Sequence, residues 1–182
     1  ATLLDADYLR QRASLIGPRS MGHAAAGTPL GPLMSLADDR SPELASTTQV
    51  PVVDRFGNAL ALTSTIENGF GAQIIVRGFL LNNQLTDFSF VPAVDGVPVA
   101  NRVQGGKRPR SAMAPMLVLE RDSGRLVMSI GSPGGPVIIN YVAKALVGTL
   151  DWALDLQQAV ALPNFGSRNG PTELEAGRSS AA

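Results

Sequence analysis

The residues around Thr47 point to a hydroxyl nucleophile that could carry its own base. Thr47 and Thr48 stand at the start of a short strand-like run, far from the first residue of the chain. A hydroxyl is a weak nucleophile unless a base lies beside it, and an N-terminal threonine can use its own α-amine as that base. The chain has one histidine, His23, and no cysteine, so a histidine-based triad would depend on a single imidazole. Cleavage of the Ser46–Thr47 bond would make Thr47 an N-terminal nucleophile.

Thr47 precedes a predicted β-hairpin. Residues 54–58 place polar side chains and a glycine between two apolar runs, which is typical of a turn. With the turn centred near Phe56, Thr47 and Thr65 are equally distant from it and would share one face, with Cβ atoms roughly 5 Å apart. We therefore expect Thr65 to hydrogen-bond to Thr47 and orient it. A one-residue slip in register would separate the two side chains, and threonine is also common in strands simply as a good strand former.

A second candidate site is the glycine-rich segment 131–135. It follows a strand-like run, 125–130, and precedes a helical pattern that begins near Pro136, a residue suited to a first helical position. A loop of this kind at a helix start presents backbone N–H groups to an anion. The anion could be a phosphate, but the Gly-Lys-Ser/Thr ending of a P-loop is absent. It could also be the oxyanion of an acyl-transfer intermediate, and a simple tight turn is the third interpretation.

The rest of the chain predicts the elements that position these residues. A short amphipathic helix is expected within residues 2–16, with Asp5 as its candidate cap, and residues 17–46 predict a loop or processing linker. The tail 167–182 is poor in large apolar residues and is predicted to fray. Strands followed by helices around a single core indicate an α+β fold. The pattern predicts strands at 49–54, 59–66, 74–83, 115–121 and 125–130, and helices at about 136–150 and 155–162.

Composition argues against several functional classes. Fifteen basic and fifteen acidic residues balance, so the chain has no electrostatic footprint for nucleic acid. The local cluster Lys107, Arg108 and Arg110 is interpreted as a solvated loop. No apolar run reaches the length of about 20 residues that spans a bilayer. The lack of cysteine excludes disulfides and thiolate ligands, and a single histidine argues against a catalytic metal, so no cofactor is expected.

Many of these motifs match one known family in order. They resemble the small subunit of the γ-glutamyltransferases (γ-glutamyltranspeptidases, or glutathione hydrolases), which are N-terminal-nucleophile hydrolases. The resemblance runs from Thr47 to about Glu175, and residues 1–46 are more weakly similar to the end of the large subunit. It implies that the chain forms part of a four-layer αββα sandwich. The matching motifs are Thr47-Thr48, residues 52–54, Gly57-Asn58, Thr63 to Thr65, Phe70-Gly71, residues 81–84, residues 87–89, residues 107–109, Ser111, Met113, Pro115 and residues 131–135.

The resemblance implies a catalytic role for four residues. Thr47 would be both the residue that cleaves the precursor and the nucleophile of the mature enzyme. Thr65 would support it. The backbone amides of Gly134 and Gly135 would form the oxyanion hole of an amidase or acyltransferase that works through an acyl-enzyme.

The resemblance also assigns the binding of the donor's head group. Gln84 and Asp87 would bind the α-amino end of a γ-glutamyl group, and Ser111 would help to hold its α-carboxylate. A carboxylate suits an ammonium group and a hydroxyl donor suits a carboxylate, so these assignments are chemically coherent.

Two positions that contact the head group in the family depart from its pattern. Glu67 stands where the family usually has asparagine and adds a negative charge, whereas Ala112 replaces the second serine of a pair and removes a donor. A polar site that lacks one partner discriminates sharply between substrates. Two alternatives therefore stay open: an amidohydrolase similar to cephalosporin acylases that cleave glutaryl amides, and a catalytically silent relative or fragment.

The family pattern further predicts how the chain is organised. Residues 1–46 would be the C-terminal segment of the large subunit with its processing linker, and residues 47–182 a small catalytic subunit truncated at its C-terminus. Such a fragment is expected to be inactive alone and to need the remainder of the large subunit, which supplies an arginine for the donor's α-carboxylate. The expected small-molecule partners are a γ-glutamyl donor and a water or amine acceptor. Bacterial members of the family are often periplasmic or secreted, and location is otherwise open.

Overall fold

A computed structural model describes residues 2–29, 36–41 and 46–177 of the chain. Short 3₁₀ turns accompany the regular elements at Thr2–Leu4, Gln84–Asp87 and Gly135–Val137. In chain order the helices and strands are α1 (Ala6–Ala13), β1 (Thr48–Val53), β2 (Ala59–Ser64), β3 (Ile75–Val76), β4 (Phe79–Leu80), β5 (Ala93–Val94), β6 (Val97–Pro98), β7 (Met116–Leu119), β8 (Leu126–Ile130), α2 (Ile138–Leu150), α3 (Leu156–Ala161), β9 (Phe165–Gly166) and β10 (Glu173–Leu174).

Helix α1 begins where the sequence places a cap. The Asp5 carboxylate accepts hydrogen bonds from the backbone N–H groups of Asp7 and Tyr8, at 3.0 and 2.9 Å, which satisfies two amides of the first turn. The helix is shorter than the predicted 2–16, because the chain before Asp5 forms a 3₁₀ turn and the helix ends at Ala13. The described parts of residues 17–46 contain only isolated bridges, one of which joins Ala37 to Val99, so the predicted loop is confirmed there.

The β1–β2 hairpin has the predicted turn and the predicted register. The Asp54 carboxylate accepts hydrogen bonds from the backbone N–H groups of Phe56 and Asn58 and from the Asn58 side chain, at 2.7–2.9 Å. The side-chain bond from Asn58 is the main cause of the lowered pKa of Asp54. The antiparallel ladder begins with Thr48 opposite Ser64, and its continuation by one position places Thr47 opposite Thr65.

One face of this hairpin is apolar and exposed. Val50 lies opposite Leu62 and Val52 lies opposite Leu60, and each of these four side chains is more than 40% exposed. On the other face, Gln49 of β1 and Ala59, Ala61 and Thr63 of β2 are half-buried. The second long hairpin, β7–β8, packs beside the first, and the Ser129 hydroxyl donates to the Leu60 carbonyl at 3.1 Å. A contiguous group of exposed apolar side chains is typical of a surface that packs against further protein.

The predicted strand 74–83 is wrong. The structure has a tight hairpin in its place, in which β3 pairs with β4 and Ile75 lies opposite Leu80. Arg77 and Gly78 both have positive φ, 51° and 85°, which is the geometry of a two-residue turn that matches strand twist. Gly78 therefore acts as a turn residue, although the apolar run around it resembles a continuous strand.

The buried core lies mainly around α2. Helix α2 follows Val137 and faces α3. An added Cβ at Gly148 would lie 3.0 Å from the Ala159 side chain, so the two helices approach closely. The buried Lys144 amine donates to the carbonyls of Val160 and Leu162, at 3.2 and 2.7 Å, and so satisfies groups at the end of α3. Among the described residues the buried apolar side chains are Phe88, Val99, Met128, Ile138, Val142, Ala145 and Ala159.

The C-terminal segment is more ordered than predicted as far as the structure describes it. β9 pairs with β10, and the Glu175 carboxylate accepts two hydrogen bonds from Asn164, at 2.9 and 3.0 Å. The expectation of fraying is therefore wrong for 167–177, because polar contacts replace the missing apolar ones. Its remainder, 178–182, lies outside the described residues.

The mixture of antiparallel hairpins and helices gives the chain the predicted α+β class. The described strands form five two-stranded antiparallel ladders. Over the described ranges no helix is both long enough and apolar enough to cross a membrane.

Candidate active site

A cavity of about 380 Å³ lies where the start of β1, the loop after β2, the Gln84–Asp87 turn and the start of α2 meet. Of the eight residues that the sequence singled out, seven line this cavity: Thr47, Thr65, Glu67, Gln84, Asp87, Ser111 and Gly135. Gly134 is the neighbour of a lining residue but does not itself line the cavity. Residues from most of the chain thus converge on Thr47.

The two threonine hydroxyls meet at the peptide bond before Thr47. The Thr65 hydroxyl donates a hydrogen bond to the Ser46 carbonyl oxygen at 2.8 Å. The Thr47 hydroxyl donates to the same oxygen. Thr65 therefore contacts Thr47 through the Ser46 carbonyl, rather than by the direct hydrogen bond that the sequence led us to expect. Both hydroxyls are placed to act on this one carbonyl group.

The glycine segment lies on the same side of the molecule as Thr47. Gly134 and Gly135 have φ values of 135° and 57°, which are strained for residues with a side chain. They turn the chain from β8 into the 3₁₀ turn before α2 and bring Gly135 to the cavity wall. Gly131 lies so close to the Gln49 side chain that an added Cβ would clash with it, at 2.2 Å. The loop is thereby packed against β1, the strand that follows Thr47.

Two carboxylates stand side by side in the cavity and share one amide. The Gln84 side-chain nitrogen donates to Glu67 at 2.8 Å and to Asp87 at 3.0 Å. Glu67 is only 8% exposed, and its φ of 71° is held in part by the bond from its N–H to the Thr65 hydroxyl, at 2.9 Å. Burial, then the neighbouring charge and hydrogen bond of Asp87, raise the pKa of Glu67, whereas Gln84 and Arg110 act in the opposite direction. The net effect is a pKa of Glu67 above its ordinary value.

Arg110 was missed as a site residue. Sequence reasoning assigned it to a solvated basic loop, which is wrong for this side chain: Arg110 lines the cavity and is 25% exposed. Its guanidinium pairs with Asp39 at 2.8 Å and donates to the Ser41 carbonyl at 3.2 Å. Burial alone would raise the pKa of Asp39, but the hydrogen bonds from Ser41 and Asn101 and the charge of Arg110 outweigh it and lower the pKa to about 2.

Asn101 connects these groups and was also missed. Its side-chain amide nitrogen donates to the Asp39 carboxylate at 2.8 Å and to the Asp87 backbone carbonyl at 2.6 Å. Its side-chain oxygen accepts from the Arg110 backbone N–H at 3.1 Å. One buried amide therefore ties three segments of the head-group region together. An isolated asparagine between two loops carries no sequence signal for this role.

The remaining walls combine polar and apolar groups. Ser111 is exposed to the cavity, and its hydroxyl accepts from the Met113 backbone N–H at 3.2 Å. The lining also includes Asn140 from α2 and Arg168 from the loop before β10, neither of which any motif indicated. Arg168 also pairs with Glu173 at 3.6 Å. Within the described ranges no three histidine or acidic side chains cluster as metal ligands do.

Comparison with known proteins identifies the family of the chain. The family model described as gamma-glutamyltranspeptidase matches residues 1–181, and the chain belongs to that family. A glutathione hydrolase proenzyme of Pseudomonas sp. strain A14 is 34% identical over 97% of this chain. An acylase proenzyme, ACY 1 of Pseudomonas sp. strain SE83, is 33% identical over 96% of it. The chain spans only 30% and 28% of these two relatives.

A solved structure gives the same result at the level of the fold. The Helicobacter pylori gamma-glutamyltranspeptidase is 35% identical and superposes with a TM-score of 0.56. The match covers 66% of this chain and 68% of that one. The family that the sequence motifs indicated is therefore confirmed.

Proposed function

We propose that this chain is the catalytic portion of a γ-glutamyl amidase and acyltransferase, and that Thr47 is its nucleophile. The observation that carries the proposal is the convergence of the Thr47 and Thr65 hydroxyls on the Ser46 carbonyl, in a cavity whose lining also includes the carboxylates of Glu67 and Asp87. The first group of residues suits attack on an acyl carbon. The second suits a donor with a positively charged head.

The first reaction would be cleavage of the chain itself. The Thr47 hydroxyl oxygen would attack the Ser46 carbonyl carbon, and its proton would pass to the departing Thr47 amide nitrogen. The result is an ester between the Ser46 acyl group and the Thr47 oxygen. The acyl shift itself frees the α-amine of Thr47; water then hydrolyses the ester, which restores the Thr47 hydroxyl and leaves a carboxylate on Ser46. The Thr65 hydroxyl, 2.8 Å from the Ser46 oxygen, would stabilise negative charge on it during the attack.

The mature reaction would repeat this chemistry on an external amide. Thr47 would attack the γ-carbonyl of the donor, its α-amine would accept the hydroxyl proton, and the same proton would be delivered to the leaving amine. Water or an amine would then take the acyl group from Thr47. The amides of Gly134 and Gly135, at the 3₁₀ turn before α2, would stabilise the oxyanion. Gln84, Asp87 and Ser111 would bind the donor's amino and carboxylate groups.

The same proposal includes the organisation of the whole protein. Residues 1–46 would belong to the large subunit and residues 47–182 to the small one, as parts of an αββα sandwich. The exposed apolar face formed by Val50, Val52, Leu60 and Leu62 is a surface that the remainder of the large subunit would cover. Similarity to two proteins named as proenzymes supports this division.

A glutaryl acylase is the second candidate. Ala112 removes a hydroxyl from the head-group region, Glu67 adds a carboxylate, and the chain is as similar to an acylase as to a glutathione hydrolase. A glutaryl group has no ammonium, however, and would meet the carboxylates of Glu67 and Asp87. The γ-glutamyl donor is therefore the better match.

Cleavage of the full-length precursor tests the proposal. Intact-mass measurement should find two pieces separated between Ser46 and Thr47, and Thr47→Ala should abolish the cleavage. Thr48→Ala is the matched control, because Thr48 is exposed on β1 and should leave cleavage unchanged. Cleavage that persists in Thr47→Ala, or a cut at another bond, would contradict the proposed nucleophile.

A further inference from the structure

The chain shortly before the proposed cleavage site is held by residues that follow that site. We call residues 36–41 the pre-cleavage segment. Its backbone pairs with the chain at the end of β6: the Ala37 N–H donates to the Pro98 carbonyl, and the Ala37 carbonyl accepts from the Ala100 N–H, both at 2.9 Å. The segment is therefore attached to the part of the chain that lies beyond Thr47.

The Asp39 side chain attaches the segment at a second place. Its carboxylate accepts hydrogen bonds from the Asn101 side chain and from the Arg110 guanidinium, both at 2.8 Å. The Ser41 N–H and hydroxyl also donate to it, at 3.0 and 2.7 Å. The Asp39 side chain is only 9% exposed, and a carboxylate withdrawn from water is stable as an anion only when it is paired and hydrogen-bonded. This ion pair is therefore a specific contact rather than a loose surface pair.

The guanidinium of Arg110 holds the segment at two points. Besides its bond to Asp39, it donates to the Ser41 carbonyl at 3.2 Å. Arginine presents several donors in one rigid plane, so it can fix a side chain and a backbone group together. The Arg110 backbone N–H is itself bound by the Asn101 side-chain oxygen at 3.1 Å. We call Asp39, Asn101 and Arg110 the anchor.

The anchor lies near the bond that would be cut. Arg110 and Ser46 line the same cavity, and the Ser46 carbonyl is bound by the Thr65 hydroxyl at 2.8 Å. Ser41 precedes Ser46 by five residues, which span at most roughly 17 Å. A chain fixed at both ends of so short a span loses less conformational freedom on reaching the geometry for attack than a chain that is free up to Ser46. The anchor should therefore raise the fraction of precursor in which the Thr47 oxygen can reach the Ser46 carbonyl carbon.

We propose that Asp39 and Arg110 are positioning residues for cleavage of the chain: their ion pair holds the pre-cleavage segment so that the Ser46 carbonyl stays within reach of Thr47. The inference rests on the proposed function and adds to it two residues that act on the precursor. Asp39 and Arg110 lie on opposite sides of the bond that would be cut. The pair can therefore hold that bond in place without taking part in the chemistry.

The rate of cleavage of the full-length precursor, made by cell-free synthesis and followed by intact mass, tests the two residues. Asp39→Asn and Arg110→Met should each slow cleavage about 10- to 100-fold, the usual effect of losing a charged hydrogen-bond partner. Arg110→Lys keeps the charge and should restore part of the rate. Asp38→Asn and Arg108→Met are the matched controls, because both side chains are exposed, and should be cleaved at the native rate.

The double variant Asp39→Asn/Arg110→Met distinguishes one pair from two separate effects. Loss of both partners should slow cleavage no more than Arg110→Met does alone, because residues in direct contact are not additive. A slowing equal to the product of the two single effects would mean that the residues act independently and would overturn the inference.

Hydrogen exchange separates positioning from a general loss of stability. It is measured in the Thr47→Ala precursor with and without Asp39→Asn. Exchange should become faster in the pre-cleavage segment, where the Ala37 N–H is hydrogen-bonded, and stay unchanged in the β1–β2 hairpin. Faster exchange in both regions would show a structural role and overturn the inference. A native rate of cleavage in Asp39→Asn would overturn it as well.

Failure of the proposed function gives a different result. Cleavage between Ser46 and Thr47 that persists in Thr47→Ala contradicts the nucleophile, and slower cleavage in Asp39→Asn then still supports the positioning role. If Thr47→Ala abolishes cleavage and Asp39→Asn leaves its rate unchanged, Thr47 stands as the nucleophile and the positioning role fails.

Discussion

The cavity lining contains two groups of residues that are held in different ways: we call Thr47 and Thr65 the nucleophile end, and Glu67, Gln84, Asp87, Arg110 and Ser111 the head-group end. At the nucleophile end, Thr47 and Thr65 are placed by one hairpin, whose turn and ladder involve residues close together in sequence. At the head-group end, Arg110 is held by a residue 71 positions away, and Asn101 reaches Asp39 across 62 positions. Local hydrogen bonds build one end, and contacts between distant loops build the other.

The residues proposed to cleave the amide bond are therefore held differently from the residues proposed to bind the donor. The hairpin end carries Thr47 and Thr65, as the family pattern expects, whereas both departures, Glu67 and Ala112, fall at the head-group end. A loop region can exchange charged groups without changing the register of a hairpin, because no ladder passes through it. Changes at the nucleophile end should therefore affect cleavage, and changes to Glu67, Asp87 or Ser111 at the head-group end should affect the choice of donor.

The largest effect is expected for Thr65→Val in the full-length precursor. Loss of the hydroxyl that donates to the Ser46 carbonyl should slow cleavage at Ser46–Thr47 by about 100-fold, as removal of one oxyanion donor commonly does. Thr65→Ser keeps the hydroxyl and is the control, with nearly native cleavage. The time course is followed by intact mass. Equal rates in the valine and serine variants would show that the hydroxyl is not used.

The next effect concerns Asp87→Ala in the processed enzyme. If Asp87 binds the donor's ammonium, kcat/KM for a γ-glutamyl anilide should fall about 10- to 100-fold, because a charged hydrogen bond is lost. A glutaryl anilide lacks the ammonium and should be affected less. Cleavage of the precursor should continue, since the hairpin is unchanged. An equal loss on both anilides would assign Asp87 a structural role and remove the contrast between the two ends.

The smallest effect concerns stability and pH. The pKa of Glu67 is raised above its ordinary 4.5 by burial and by Asp87, so the folded protein binds this proton more tightly than the unfolded chain does. The resulting stabilisation is present below about pH 4.5 and is lost as pH rises through the folded pKa. Glu67→Gln cannot ionise, so its Tm should exceed the native value by a few degrees at pH 8 and converge with it near pH 4. If the difference in Tm instead grows as the pH falls, Gln84 and Arg110, which lower the pKa of Glu67, outweigh burial and Asp87, which raise it.

Sequence patterns predicted the elements best where periodicity and turn chemistry agreed. The β1–β2 hairpin and α2 lie within about two residues of their expected bounds, because alternation, capping and helical spacing are properties of neighbouring residues. The segment 74–83 was misjudged because an apolar run looks the same whether it continues or folds back at Gly78. The segment 167–177 was misjudged because it is held by polar pairs rather than by apolar burial.

The site residues that the sequence predicted also differ from those that it did not predict in how far apart their contacts lie in the chain. Seven of the eight expected residues line one cavity, because their motifs lie on elements whose ends meet there. Arg110, Asn101 and Asp39 were not identified, since each owes its position to a partner more than 60 residues away. An arginine in a basic loop has the same sequence signature whether it points to solvent or pairs with a buried carboxylate.

The amino-acid sequence by itself determined the family, the hairpin and the pairing of Thr47 with Thr65. These depend on residue identity and on periods of two and 3.6, which act over a few neighbouring positions. Only the tertiary structure decided that Glu67 and Asp87 share the amide of Gln84 and that Arg110 is paired with Asp39 at the cavity wall. The reason is that burial and charge pairing depend on distances in space, which residues far apart in the chain acquire only after it has folded.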